Sequence, residues 1–443
     1  MNAEVRQIKT NAELALAAAY AAAKASLPGG GPIGAMREAA FRAFDADGLP
    51  HRRIEQWKYT DLRAAMRDAK PLAGAPDAAA IARAKSAGAL VGGIEARRVV
   101  FVDGAFVPEL SDLAELSRGL TIRSMAQALA AGDPLIGKHL GKVAASLGDG
   151  VVALNTALMA DGALIHVAKG ATVDRPIHLV FAATGTKPAS VFTRSLIVIE
   201  DGARAMLVES HDAAAAHQVN TALELIVGDN AHVDHIKLTG GADDLIYVSS
   251  LMAAIGARAR FNAFTVNTGG GVTRNQLFVR FDGEDTLAGI RGASLLKGKE
   301  HVDTTIVADH KAPGCQSREV FKAVLDDESH SVFQGKIIVR PHAQQTDAKM
   351  MTRALLLSED AEADNKPELE IFADDVQCGH GATAGALDQN LKFYLMARGI
   401  PEHEAEALLV QAFIGEAVEG IEHAGLRDAL MEAVVTWLKA REK

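Results

Sequence analysis

Only two thiols occur in the 443 residues, Cys315 and Cys378. Cys378 lies in Asp374-Asp375-Val376-Gln377-Cys378-Gly379-His380-Gly381-Ala382-Thr383. If 376–380 is a strand, its period of two puts Cys378 and His380 on one face, with only Gly379 between them. A thiolate and an imidazole so placed can share a soft or borderline metal, iron or zinc. Two ligands do not complete a four-coordinate site, so the others must come from elsewhere in the chain or from another subunit. The flanking glycines leave room for that approach. The plainer reading is a buried cysteine and a hydrogen-bonded histidine at the end of a β structure. On the residues alone both readings stand.

The other reactive side chains carry less. Cys315 sits in His310-Lys311-Ala312-Pro313-Gly314-Cys315-Gln316-Ser317-Arg318. Lys311 and Arg318 would lower the pKa of a neighbouring thiol, and a Pro-Gly turn predicts exposure; a lone turn cysteine is otherwise inert. His232 and His235 are three apart, on opposite faces of a strand, and are not a pair. Gly132-Asp133-Pro134-Leu135-Ile136-Gly137-Lys138-His139 has the G-x-x-x-x-G-K spacing of a phosphate loop. His139 replaces the Ser or Thr that would hold magnesium, and 125–131 reads as a helix where the motif needs a strand, so the segment is read as a loop. Two thiols also exclude a disulfide scaffold and a Cys-only metal site within one chain.

The elements that position these residues fall into three parts. Residues 1–150 read as mainly helical, with helices over 11–27 and 33–46 and a stop at Gly48. Arg98 to Val107 reads as a hairpin turning at Asp103-Gly104. The Ala-rich run 14–23, with Arg6 and Lys9 before it, has the outline of a secretory signal. Glu4 and Glu13 and its alanine content favour a helix of a cytoplasmic protein. From 151 to 386 short runs of Val, Ile, Leu, Phe and Thr alternate with Gly, Asp and Asn turns. Gly202, Asn230, Gly256 and Gly283 mark repeats spaced 28, 26 and 27 residues, each holding two strands. A period in this range with no helix inside predicts a parallel β-helix, a β-sandwich being the second choice. Residues 387–443 are helical again: 388–398, then 402–423 with Ala405, Leu408, Leu409, Ala412, Phe413, Glu416 and Ala417 on one face, then 426–440. One bland task for the helices is to cover the exposed ends of the solenoid.

Composition agrees. Hydrophobic residues make up 49% of the chain but Phe, Trp and Tyr only 5%, which suits a narrow interior of small aliphatic side chains. A net charge of −10 argues against a nucleic-acid binder. No run approaches the ~18 apolar residues of a membrane span.

Several segments resemble the SufB/SufD family of iron–sulfur cluster assembly proteins. They are Ser317-Arg318-Glu319-Val320-Phe321-Lys322, Ser331 to Ile337, Ala343 to Ala348, Leu355-Leu356-Leu357, Pro367 to Ile371 and Asp375 to Thr383. Glu55-Gln56-Trp57-Lys58-Tyr59-Thr60 extends the likeness toward the N-terminus. Cys378-Gly379-His380-Gly381-Ala382-Thr383 looks like the SufD branch; the SufB branch carries Glu-Ala in place of Gly381-Ala382 and more cysteines. The resemblance implies a right-handed parallel β-helix between two helical domains and a scaffold role without an ATPase site of its own. It implies pairing with SufB through the last rungs of the β-helix and binding of the ATPase SufC through the C-terminal helices. A transient iron–sulfur cluster would be built at the SufB interface with His380 and Cys378 as metal ligands, and a homodimer is the alternative for the isolated chain. Two other classes remain beside it. One is a β-helical polysaccharide lyase, disfavoured by the scarcity of aromatic stacking residues; the other is a self-assembling structural solenoid, disfavoured by helices at both ends.

Overall fold

The computed structural model describes residues 9–143 and 148–441. The chain between Ala163 and Ala386 alternates between two sheets, so each turn of the coil adds one strand to each. One sheet has ten strands and ends, toward the C-terminus, with Gln316–Leu325, Asp347–Leu356 and Gln377–Ala386. The other has nine and ends with His301–His310, His330–Val339 and Glu362–Ile371. All pairings within this region are parallel, for example Asp347 opposite Gln377. The architecture is therefore a parallel β-solenoid, as the spacing predicts, with helices before and after it in the chain.

The repeat is visible in the register. Arg204, His232, Arg260 and Leu287 stand opposite one another in successive turns, 28, 28 and 27 residues apart. Between the strands runs a column of left-handed residues: Gly202, Asn230, Arg258, Asp285, Gly314 and Gln345, with φ between 52° and 71°. The N–H of each donates to a carbonyl of the next turn, as in Gly202 to Asp229 at 2.7 Å, Asn230 to Ala257 at 2.8 Å and Arg258 to Glu284 at 2.7 Å. This ladder holds Arg258 and Asp285 in a conformation that costs a non-glycine residue about 1 kcal/mol. Gly256 and Gly283, which the sequence spacing places in this column, lie two residues out of phase with it. Those two are glycines for a different reason: a Cβ on Gly283 would lie 2.0 Å from the Ala257 nitrogen.

Inside the coil, small aliphatic side chains stack turn on turn. Leu207, Val233, Phe261 and Ile290 line one wall and Leu225, Ile255, Leu277 and Ile306 the other, all nearly free of solvent contact. At the N-terminal end the strand Arg97–Val102 extends the first sheet in parallel, and Leu120–Ser124 closes the second by antiparallel pairing with Ala163–Val167. The hairpin at Asp103-Gly104 forms as expected, with φ of 49° and 87°.

The helices lie on the outer faces of the sheets. Asn11–Ala23 begins at a capping box between Thr10 and Glu13, and Pro32–Asp47 ends at Gly48. They pack through Leu16, Tyr20 and Phe44 on Trp57 and on the helix Gly150–Leu158. That last helix was missed from sequence because it is buried nearly all round and shows no helical period. Trp57 docks on the nine-stranded sheet. The Arg274 guanidinium lies 4.3 Å from its ring centre, and Arg274 Nη2 donates to the Gln56 carbonyl at 2.7 Å. The segment 132–139 is not a loop: Met125–Ala131 ends at Gly132, and Asp133 caps a further short helix, Pro134–His139.

The C-terminal helices Gln389–Met396, Glu402–Val418 and Ala424–Arg441 follow. The last two cover the ten-stranded sheet, where Val410, Ile414, Ala417, Leu430 and Val434 meet Ile236, Phe264, Val266 and Leu295. The buried face is rotated from the expected one. Leu408 and Ala412 point to solvent, while Val410 and Ile414 point inward. Among the described residues no helix is long and apolar enough to cross a membrane.

Candidate functional site

The C-terminal end of the solenoid is uncovered. Gln377–Ala386 and Glu362–Ile371 are the outermost strands of their sheets, so each has a free edge. Cys378 stands opposite Ala348 and His380 opposite Met350. Ala348 and Met350 are buried in the interior stack, which puts Cys378 and His380 on the inward face of the last strand. The period-two reading of the sequence therefore matches the side-chain directions. Cys378 is half-buried against the core and His380 is exposed. Around them the rim is open: a Cβ on Gly379 or Gly385 would meet nothing within 4 Å. Burial pushes the Cys378 thiol up, with the nearby charges of Asp347 and Glu319 adding to it. A cation brought to the rim would reverse that preference and favour the thiolate.

Among the described residues no side chain hydrogen-bonds the His380 ring, and neither Asp374 nor Asp375 reaches it. Asp375 is engaged in the turn, its carbonyl accepting from Gln345 N at 2.6 Å and its amide donating to Gln344 Oε1 at 2.9 Å. Two turns inward along the His380 column, past Met350, lies Glu319. It is fully buried, Ser317 is the side chain nearest to satisfying its carboxylate among the described residues, and burial outweighs that contact and pushes its carboxyl up to about 7.

Cys315 contradicts the expectation of exposure, and its burial agrees with the reading of an inert thiol. It follows the left-handed Gly314 and so occupies an inward column with Ala203, Ala231, Ala259, Thr286 and Thr346, each at most 1% exposed. Burial raises its pKa, and its sulfur donates to the Gly283 carbonyl at 3.2 Å.

Two clusters escaped sequence reasoning. Inside the coil Glu209 accepts from His235 Nε2 at 2.6 Å and contacts His211 Nε2 at 3.0 Å, while Lys237 donates to Asn275 Oδ1 at 2.5 Å. Burial opposes the charge on Glu209, but the two imidazoles outweigh it and hold the carboxyl below its ordinary range. Burial pulls Lys237 down to about 8. The signal was present: Glu209 and Lys237 are 28 residues apart, one turn of the repeat, and stand in register. On the outer wall His232, Asp234 and Glu422 form, among the described residues, the one group of three metal-ligating side chains within 4.8 Å of one another. Arg260, 3.5 Å from Glu422, supplies the positive charge there. His232 and His235 do face opposite sides, as expected. Cys378 and His380 are not joined by a third such ligand among the described residues, so a metal at the rim needs groups from outside.

Large apolar side chains are exposed beside the rim and on the tail: Ile371, Phe372, Leu391, Phe393, Tyr394 and Leu408. The helix Gln389–Met396 buries none of its residues.

Comparison with known proteins follows the same outline. Residues 181–413 match the family described as SUF system FeS cluster assembly, SufBD core domain, and residues 18–179 match the SufBD protein N-terminal region. The iron–sulfur cluster assembly protein SufD of Escherichia coli is 31% identical over 400 residues, 87% of this chain and 89% of that protein. A SufBD family iron–sulfur cluster assembly protein of Synechocystis is 31% identical over 400 residues, 87% of each chain. SufD of Bacillus subtilis is 28% identical over 292 residues, 64% of this chain and 66% of that one. The chain belongs to the SufBD family of iron–sulfur cluster assembly proteins.

Proposed function

We propose that this chain is the SufD-type subunit of a cytoplasmic scaffold that builds iron–sulfur clusters. It pairs with a SufB-type chain through its open rim and carries a SufC-type ATPase on its C-terminal helices. His380 and Cys378 serve as ligands to the nascent cluster, which is cargo held between the two chains and then released. Nucleotide hydrolysis belongs to the ATPase partner. The three parts of the chain, 1–150, 151–386 and 387–443, divide as shoulder, β-helix and tail.

The observation that carries this reading is the position of Cys378 and His380 on the inward face of a terminal strand whose outer edge is free. A matching solenoid stacked on these edges would continue both sheets by β-augmentation, and its own last turn would bring the missing ligands to the same interior. Ile371 and Phe372 beside the edge favour a protein partner over water. The unburied helix Gln389–Met396, with Leu391, Phe393 and Tyr394 outward, supports a second docking surface on the tail. A two-proline insertion between Val376 and Gln377 puts two residues without an N–H at the start of the outermost strand and breaks the line of its free edge, leaving the inner turns unchanged in sequence. It is expected to abolish co-purification with a co-expressed SufB-type chain while the circular dichroism of the isolated protein is kept. Retained pairing by the folded variant would overturn the edge model.

A further inference from the structure

The outer face of the nine-stranded sheet carries a histidine pair that the scaffold function does not use. His301 and His330 stand opposite one another on adjacent strands, their Nδ1 atoms 3.1 Å apart and their rings at 67°. The second nitrogen of each ring is already committed. His301 Nε2 lies 2.8 Å from Thr60 Oγ1, and that hydroxyl gives its own proton to Asp303 Oδ2 at 2.5 Å. The hydroxyl can therefore only accept from the ring. His330 Nε2 lies 2.9 Å from Asp364 Oδ2, a carboxylate oxygen that accepts. When neutral, both rings thus carry their proton on Nε2 and a lone pair on Nδ1. Turning either ring over would put a carbon against its anchor and break that bond.

Two lone pairs facing each other at 3.1 Å repel unless a cation stands between them. A metal bonded to both at the usual ~2.0–2.1 Å would see them at an angle of about 98°, between octahedral and tetrahedral values. Asp364 and Thr60 are then the outer partners that metal-bound imidazoles ordinarily have. The groove in front of the rings is lined by Glu328, Asp360 and Glu362, against a single Lys299 that pairs with Glu328 at 3.3 Å. Glu362 is next in register after His330, and water can fill the remaining positions.

We propose that His301 and His330 bind one divalent transition-metal ion of the zinc class through their Nδ1 atoms. The ion bridges two turns of the solenoid and, through Thr60, steadies the segment docked at Trp57. The proposal is independent of the rim.

The test is zinc titration of the tag-free full chain at neutral pH, followed by copper(II) electron paramagnetic resonance to count bound nitrogens. One zinc per chain and two nitrogens are expected. His301→Ala and His330→Ala should each weaken zinc binding at least tenfold, and Asp364→Asn, which keeps both ligands, about tenfold. His380→Ala and Cys378→Ser should leave this zinc in place. Zinc bound equally by His330→Ala, or no zinc bound by the wild type at ~100 times the protein concentration, would overturn the site. The second result would leave a shared proton as what joins the rings.

Discussion

Glu319 offers a direct test of how the interior of the solenoid is built. It is fully buried, and burial raises its carboxyl from 4.5 to about 7. Below pH 4.5 the group is protonated in both folded and unfolded chains and contributes no pH dependence. Between 4.5 and 7 only the folded chain keeps the proton, so stability falls as pH rises; above 7 the loss is complete. At about 1.4 kcal/mol per pH unit the loss is roughly 3 kcal/mol. Glutamine resembles the protonated acid in shape and does not titrate. Glu319→Gln should therefore match the wild type near pH 5 and exceed it by up to roughly 3 kcal/mol near pH 8. Urea unfolding midpoints of both proteins across pH 5–8 would measure this, because every other titrating group, including the raised Glu300, cancels in the difference. Parallel curves for the two proteins would refute a buried, neutral Glu319.

Other expectations concern the lumen and the tail. Glu209→Gln leaves two imidazoles without their shared carboxylate and removes the negative charge next in register to Lys237, and should cost about 3–5 kcal/mol by chemical denaturation; a loss under about 1 kcal/mol would mean that the cluster is hydrated. Phe393→Asp with Tyr394→Asp should abolish capture of a SufC-type ATPase with little change in melting temperature, since both side chains are exposed. By contrast, removing everything after Gln389 should cause aggregation, because Ile236, Phe264 and Leu295 lose the helices that cover them; a soluble monomer by light scattering would contradict that packing.

The solenoid was legible because each turn has to repeat the same physical problem. A strand of about ten residues, a turn and a second strand consume 26 to 32 residues whatever their identity, so spacing survives where residue matches do not. Phase was harder to read. Glycine marks a left-handed turn at Gly202, but the backbone ladder lets Arg258 and Asp285 do the same, and glycine at 256 and 283 answers to crowding instead. Cys315 was misjudged for a related reason: a Pro-Gly turn in isolation points outward, whereas here it feeds an inward column of small residues. The pairing of Cys378 with His380 needed only the period of a strand. The clusters at Glu209 and at His301 needed the third dimension, since their members meet across a turn of the coil.

The central claim is that His380 is a ligand to a cluster assembled between two chains. His380 is exposed, and its replacement should cost at most ~1 kcal/mol of stability. The measurement is cluster absorbance per complex after anaerobic co-expression of His380→Ala with SufB- and SufC-type partners, with complex yield as the control. The account predicts normal yield with cluster content strongly reduced, the same or a milder loss for Cys378→Ala, and none for Cys315→Ala. Wild-type cluster content in the His380→Ala complex would contradict it.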